Sequence, residues 1–187
     1  MLRSYVAMTA ALMLSTAIAS AQPVVFVPEG SADSVLMVNA ETGETIKRIT
    51  GVAAVHGLSG APGVPYLVAG SYSETDRAEI AKLPQPEGVS EDEHAGHHSP
   101  ANDKPIGPAG AGISILSILD AETGEIVRRI EVPGAVHHTA VSPAGRYAVA
   151  THPSGDGISV IDLTTFNLTA FVPTGSMPNY AAFGADP

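Results

Sequence analysis

A strand–turn–strand pattern that returns along the chain constrains the fold more than any other feature. Ser34-Val-Leu-Met-Val-Asn39-Ala-Glu-Thr-Gly43-Glu-Thr-Ile-Lys-Arg-Ile49 recurs as Ser117-Ile-Leu-Asp120-Ala-Glu-Thr-Gly124-Glu-Ile-Val-Arg-Arg-Ile130. A looser copy is Ile158-Ser-Val-Ile-Asp162-Leu-Thr-Thr-Phe-Asn-Leu-Thr-Ala-Phe171. Each copy reads as a hairpin. The Asn or Asp side chain caps the turn by bonding nearby backbone, and the glycine after Thr supplies a residue able to take φ > 0. Between hairpins lies a further strand pair: Val136–Val141, the turn Ser142-Pro-Ala-Gly145, then Arg146–Thr151. Gly60-Ala-Pro-Gly63 is the matching turn of the first unit, with Pro65–Ala69 after it. Asp120 and Asp162 are 42 residues apart, and Asn39 and Asp120 are 81 apart. Four short strands at a 42-residue step is the period of a propeller blade. A β-sandwich has strands at similar spacing but does not require them to repeat. The expected fold is therefore all-β, with blades of four antiparallel strands. About three units are countable, the last unfinished. Closed propellers have about four to eight blades. A longer parent protein, a completing partner chain, or self-association through open blade edges would each resolve the shortfall.

The chain has no cysteine, which removes disulfides, thiol nucleophiles, Cys-ligated zinc, iron–sulfur clusters and covalent c-type haem. A net charge of −10 would repel a phosphate backbone, so a general nucleic-acid role is excluded. Residues 1–21 carry Arg3, then an apolar run over Val6–Ile18, then Ala19-Ser20-Ala21. That is a cleavable export signal, with Gln22 as the first mature residue. The run is shorter than the roughly 20 residues of a membrane span, so no stable span remains after cleavage. The short apolar run and acidic mature chain point to a bacterial periplasm; an extracellular location ranks second. The mature part, 22–187, is read as one repeat domain.

Tyr147-Ala-Val-Ala-Thr151, Gly157-Ile-Ser-Val-Ile-Asp162-Leu-Thr-Thr and Val172-Pro-Thr-Gly175-Ser-Met-Pro178 together resemble the YVTN-type β-propeller repeat. The resemblance covers residues 24–70 and 113–187, although the Tyr-Val-Thr-Asn tetrad is not intact. That family is in turn similar to the haem d1 domain of cytochrome cd1 nitrite reductase. The resemblance implies a propeller fold. In haem d1 proteins an axial histidine would hold iron and distal histidines would pass protons to an anion.

The repeat is interrupted at 71–112 by an acidic, proline-rich insert. Unit three makes the same connection in His152-Pro-Ser-Gly-Asp-Gly157. The insert carries Glu91-Asp-Glu-His94-Ala-Gly-His97-His98, a tract of imidazoles and carboxylates suited to a divalent metal. Imidazole without thiolate favours copper, nickel or zinc, with a haem-like ligand as a weaker expectation. Aligning Gly63 with Gly145 sets His56 against His138 at the start of the first strands, and His152 ends a second strand on the same rim. The expected metal ligands are His56, His138 and His152, closed over by His94, His97 and His98. Period two along a strand would turn His137 and His138 to opposite faces. Asp120 and Asp162 are turn formers. No nucleophile elbow, P-loop or dinucleotide motif occurs, and no catalytic residue is expected. The sequence thus ranks a periplasmic binding or scaffold protein, holding a metal through its rim and loop, above an enzyme. A haem d1-like redox propeller and a cofactor-free interaction module are the alternatives.

Overall fold

The computed structural model describes residues 22–84, 86 and 112–185. Residues 1–21, read above as an export signal, and His94, His97 and His98 lie outside the described residues. Among the described residues no helix is long and apolar enough to cross a membrane.

The described residues form three antiparallel sheets. The first is β1 (Val24–Glu29), β2 (Ser34–Asn39) and β3 (Thr45–Thr50), in that order. The second is β4 (Val55–Ser59), β5 (Tyr66–Ser71), β6 (Ile113–Asp120) and β7 (Ile126–Pro133). The third is β8 (Thr139–Val141), β9 (Tyr147–His152), β10 (Gly157–Asp162) and β11 (Asn167–Pro173). Each sheet is an up-and-down meander resembling a blade, and the all-β expectation holds at that level.

The phase of the repeat differs from the sequence reading. A sheet begins with the strand pair and ends with the hairpin, because β5 bonds β6 and β9 bonds β10 in unbroken ladders. The last sheet is therefore a full set of four strands. The first sheet is the one with three. The insert is not all loop either. Asp76 caps a single helical turn, α1 (Arg77–Ile80), by accepting from the Glu79 N–H, and Ile80 is buried. A bridge from Thr75 to Ile113 returns that segment to the sheet edge.

The hairpin turns repeat as atoms and not only as letters. Asn39 Oδ1 accepts from the N–H groups of Glu41 and Thr42 at 2.8 and 3.1 Å. Asp120 Oδ1 accepts from Glu122 and Thr123 at 3.0 and 2.7 Å, and Asp162 from Thr164 and Thr165 at 2.7 and 3.4 Å. Four residues on, Gly43 and Gly124 take φ of +73° and +72°. In the third copy Phe166 occupies that left-handed position at φ +55°. Its ring packs edge-on against Tyr66 at 5.3 Å and lies under Arg128, contacts a glycine could not make. A second repeated device had no letter signal. One-turn 3₁₀ segments at Gly30–Ala32 and Pro153–Gly155 end in Asp33 and Asp156, with left-handed φ of +49° and +48°.

The sheets pack face to face. Val35, Met37, Ile49, Val52, Val55, Ala69 and Leu119 fill the space between the first and second. Val68, Leu116, Ile118, Ile130, Val132, Val136, Ala148, Ala150 and Ile161 belong to the cluster between the second and third. The second sheet is thus covered on both faces, so β6 (Ile-Ser-Ile-Leu-Ser-Ile-Leu-Asp) buries its whole interior. Strands β2 and β10 alternate buried and half-buried residues, as strands with one covered face do.

Hydrogen bonds from the Thr123 backbone, then from its hydroxyl and the Glu122 backbone, hold the Asp120 carboxyl below its ordinary pKa, with burial opposing them. Its turn contribution is therefore present above the unfolded carboxyl pKa and is lost as pH falls through the lowered folded value. Asp120→Ala should destabilise the chain by about 0.5–1 kcal/mol at pH 7, with Asp120→Asn costing less because the amide oxygen still accepts. Thermal melts should show the wild-type–Ala gap narrowing in acid; a gap independent of pH would refute the carboxylate's role.

Candidate functional site

The second and third sheets meet most closely at their first strands. Gly57 in β4 lies against the backbone leading into β8. A Cβ placed on it would sit 3.0 Å from the Cα and carbonyl carbon of His138 and from the Thr139 nitrogen. Gly70 in β5 likewise leaves room for the Val136 side chain. Two backbone bonds fix the incoming chain: Val136 N–H donates to Ser71 O at 2.8 Å, and His137 N–H to Thr151 O at 3.0 Å.

The ladder changes the sequence alignment by one residue. Tyr66 faces Asp120 and Tyr147 faces Asp162, so these tyrosines are equivalent. Leu58 faces Ala69 and Thr139 faces Ala150, each three residues past its tyrosine. Leu58 is thus equivalent to Thr139, and His56 to His137 rather than His138. The turn glycine misled because Gly63 stands three residues before its tyrosine and Gly145 two. Strand β8 also starts only at Thr139. His137 and His138 lie in irregular chain, where alternation does not apply, and their rings approach instead of diverging.

The result is a three-imidazole cluster. One ring nitrogen from each of His56, His137 and His138 lies within 4.8 Å of the other two. His56 and His137 stack with centroids 4.8 Å apart, and His138 stands edge-on to His137 at 4.3 Å. His56 Nδ1 is 2.7 Å from His137 O. A carbonyl only accepts, so this nitrogen carries the proton and Nε2 keeps the lone pair. Metal-binding histidines are commonly oriented by such a bond. His137 Nδ1 and His138 Nδ1 are 2.9 Å apart, so one donates and the other accepts, and a metal ion can take the place of that shared proton. Burial first, then the neighbouring His137 and His56, lower the His138 pKa, while a hydrogen bond to the Asn179 backbone opposes them. His138 is accordingly neutral at pH 7, the form that binds metal. Tyr72 flanks His56 at 5.0 Å and Tyr180 covers His138 at 3.8 Å, and both phenols are exposed.

His152 lies elsewhere. It is fully buried, its Nδ1 3.3 Å from the carbonyls of Gly134 and Ala135 and its Nε2 2.8 Å from Ser159 Oγ. The carbonyls assign the proton to Nδ1, and the serine hydroxyl donates to Nε2. Burial lowers its pKa, with the two carbonyls opposing. Both nitrogens are spoken for within the protein, so His152 braces β9 against the 134–135 loop. The structure thus brings together His56 and His138 from the expected ligands, adds His137, and leaves His152 apart. Tyr72 carried no sequence signal, since it opens the insert; Tyr180 showed only as the counterpart of a histidine.

No protein-family model matches the sequence, and no curated protein matches it. Solved structures share its fold. Hydrazine synthase from Kuenenia stuttgartiensis aligns over 90% of this chain and 41% of its own, with a TM-score of 0.58 and 14% identity. Dihydro-heme d1 dehydrogenase NirN, in complex with DHE, aligns over 82% of this chain and 26% of its own, with a TM-score of 0.52 and 15% identity. The chain spans less than half the length of either. Identity this low establishes likeness of fold. The likeness is of fold, to these two proteins, and not specifically to YVTN repeats. It also corrects one expectation. The sequence ranked a non-enzymatic role above catalysis, whereas both of these proteins are enzymes by name and this chain has a three-imidazole cluster.

Because backbone, not a flexible side-chain end, faces Gly57, Gly57→Ala should push β4 and the His137–His138 chain apart. The cost expected for such overpacking is about 1–3 kcal/mol. Imidazole NMR shifts of His56 and His138 should move together in the variant; unchanged shifts with unchanged stability would refute the close approach.

Proposed function

We propose that this chain is a periplasmic propeller-type redox module whose His56, His137 and His138 hold one transition-metal ion at the junction of two sheets. The observation that carries the reading is the convergence of three imidazoles, one of them fixed by a backbone carbonyl and another held neutral by burial. An all-imidazole set without thiolate suits copper, nickel or zinc. The fold shared with two enzymes supports redox or electron-transfer work over passive scaffolding. Three protein ligands would leave a coordination position for a small substrate or a partner's group.

A second reading has one observation in its favour: a protein of the same fold is solved in complex with DHE. Here His137 or His138 would be an axial ligand to a tetrapyrrole. Titration with haem, read by visible absorption, separates the two. A Soret shift lost in His138→Ala supports the tetrapyrrole, and its absence with tight copper binding supports the metal centre.

Copper(II) titration of the chain should give one tight site with nitrogen hyperfine structure in its EPR spectrum. His137→Ala and His138→Ala should each weaken it by at least about 100-fold, more than loss of a group that only orients a ligand does. Replacing His94, His97 and His98 together tests whether the loop adds a ligand. Equal affinity in wild type and a His56/His137/His138 triple alanine variant would refute the centre. Affinity should fall in acid, as protons compete for the imidazoles.

A further inference from the structure

We infer that Asp33 and Glu74 are positioning residues for the imidazole cluster, each holding the backbone N–H two residues before a clustered histidine. The inference stands on geometry; only its consequence for copper affinity rests on the metal reading above.

The chain is clamped in the same way at three places. Asp33, between β1 and β2, accepts from Ala54 N–H at 2.7 Å, two residues before His56. Glu74, between β5 and β6, accepts from Ala135 N–H at 3.1 Å, two residues before His137. Asp156, between β9 and β10, accepts from Met177 N–H at 3.1 Å, two residues before Asn179. The three N–H groups are spaced by 81 and 42 residues, the steps that separate Asn39, Asp120 and Asp162. Each time, a carboxylate on the connection leading into a hairpin grips the chain as it leaves that hairpin's sheet. Ala54 and Met177 are left-handed at φ +42° and +55°, a conformation that residues with a Cβ keep only when their surroundings hold them there.

Glu74 is the member that the repeat does not supply. Asp33 and Asp156 stand four residues past β1 and β9. Their equivalent in the second copy is Ser114, which lies inside the longer β6 and donates its hydroxyl to Ser71 O at 2.8 Å. The insert makes good the loss. Glu74 stands three residues past β5, and its longer side chain covers the missing residue. Gly112 leaves it room, since a Cβ there would run into the Glu74 carboxylate. Glu74 Oε1 also accepts from Ser154 Oγ at 3.1 Å, so it reaches the third sheet's own turn.

The residues before β8 have no ladder, so their N–H groups need individual acceptors. Gly134 donates to Gly112 O, Val136 to Ser71 O and His137 to Thr151 O. Ala135 donates to Glu74 and His138 to Thr151 Oγ1. Across 134–138, then, Glu74 and Thr151 are the two side chains that accept these bonds. Asp33 does the same for His56, whose Nδ1 must reach His137 O at 2.7 Å. A group that orients ligands changes metal affinity without touching the metal.

Glu74→Ala and Asp33→Gly remove the acceptors, and glycine keeps the left-handed φ of Asp33 without strain. Glu74→Gln and Asp33→Asn retain an acceptor oxygen. Asp120→Ala removes a like bond at the other end of the β5–β6 ladder and is the control for stability alone. In the metal-free protein, imidazole NMR shifts should move for His137 and His138 in Glu74→Ala and for His56 in Asp33→Gly. They should return in the Gln and Asn variants. Copper(II) affinity should fall about tenfold in the first pair and recover in the second. Asp120→Ala should alter neither readout. Glu74 is exposed, so its variants carry the test if Asp33→Gly does not fold. Ring shifts unchanged on loss of the acceptor, moved as much by Asp120→Ala, or not restored by Gln and Asn would overturn the inference. If wild type binds no copper, the metal reading fails and the ring shifts alone decide the inference.

Discussion

Gly57 has no room for a side chain, and much of the structure depends on that. The backbone of β4 and the chain leading into β8 touch across it, so the first strands of two stacked sheets converge at one end. Farther along the sheets, Leu116, Ile118 and Ile161 pack in the cluster between them. The contact at Gly57 decides where imidazoles can meet. His56 precedes Gly57 and His138 is the residue touching it. The cluster is a consequence of backbone proximity.

The fold was legible wherever local chemistry repeats. The Asn39, Asp120 and Asp162 turns could be read because a side-chain carbonyl or carboxylate capping its own turn needs only a few adjacent residues. The 42-residue step followed from them. The sheet phase was not legible, since nothing in a repeating string says which hairpin bonds to which neighbour. The paired 3₁₀ turns were missed because Gly30-Ser-Ala-Asp33 and Pro153-Ser-Gly-Asp156 share only Ser and Asp. What they conserve is a left-handed aspartate.

The candidate site was half legible, for a related reason. His56 and His138 were placed on one rim by counting along strands, and the count was good to one residue. One residue is enough to move a histidine to another face, and it hid His137. Irregular chain before β8 then allows two consecutive rings to touch, which a strand would forbid. His152 shows the opposite limit. Its position at the end of β9 matches the rim, but sequence position says nothing of burial. A fully buried ring must find partners for both nitrogens, and the Gly134 and Ala135 carbonyls and Ser159 supply them. A histidine so satisfied is a structural brace.

The three clustered imidazoles belong to two sheets, His56 to the second and His137–His138 to the chain that opens the third. Neither sheet alone offers the set. An ion bound by all three therefore binds only when the junction is formed, and its binding free energy adds to the stability of that junction and not to either sheet. The same logic applies to Thr151, whose hydroxyl accepts from His138 N–H and donates to Asn179 O, tying the chain that opens the third sheet to the segment after it. In a stack whose sheets are each held by their own ladders, the weak points are the junctions between sheets. Placing polar chemistry there makes the site and the sheet contact stand or fall together.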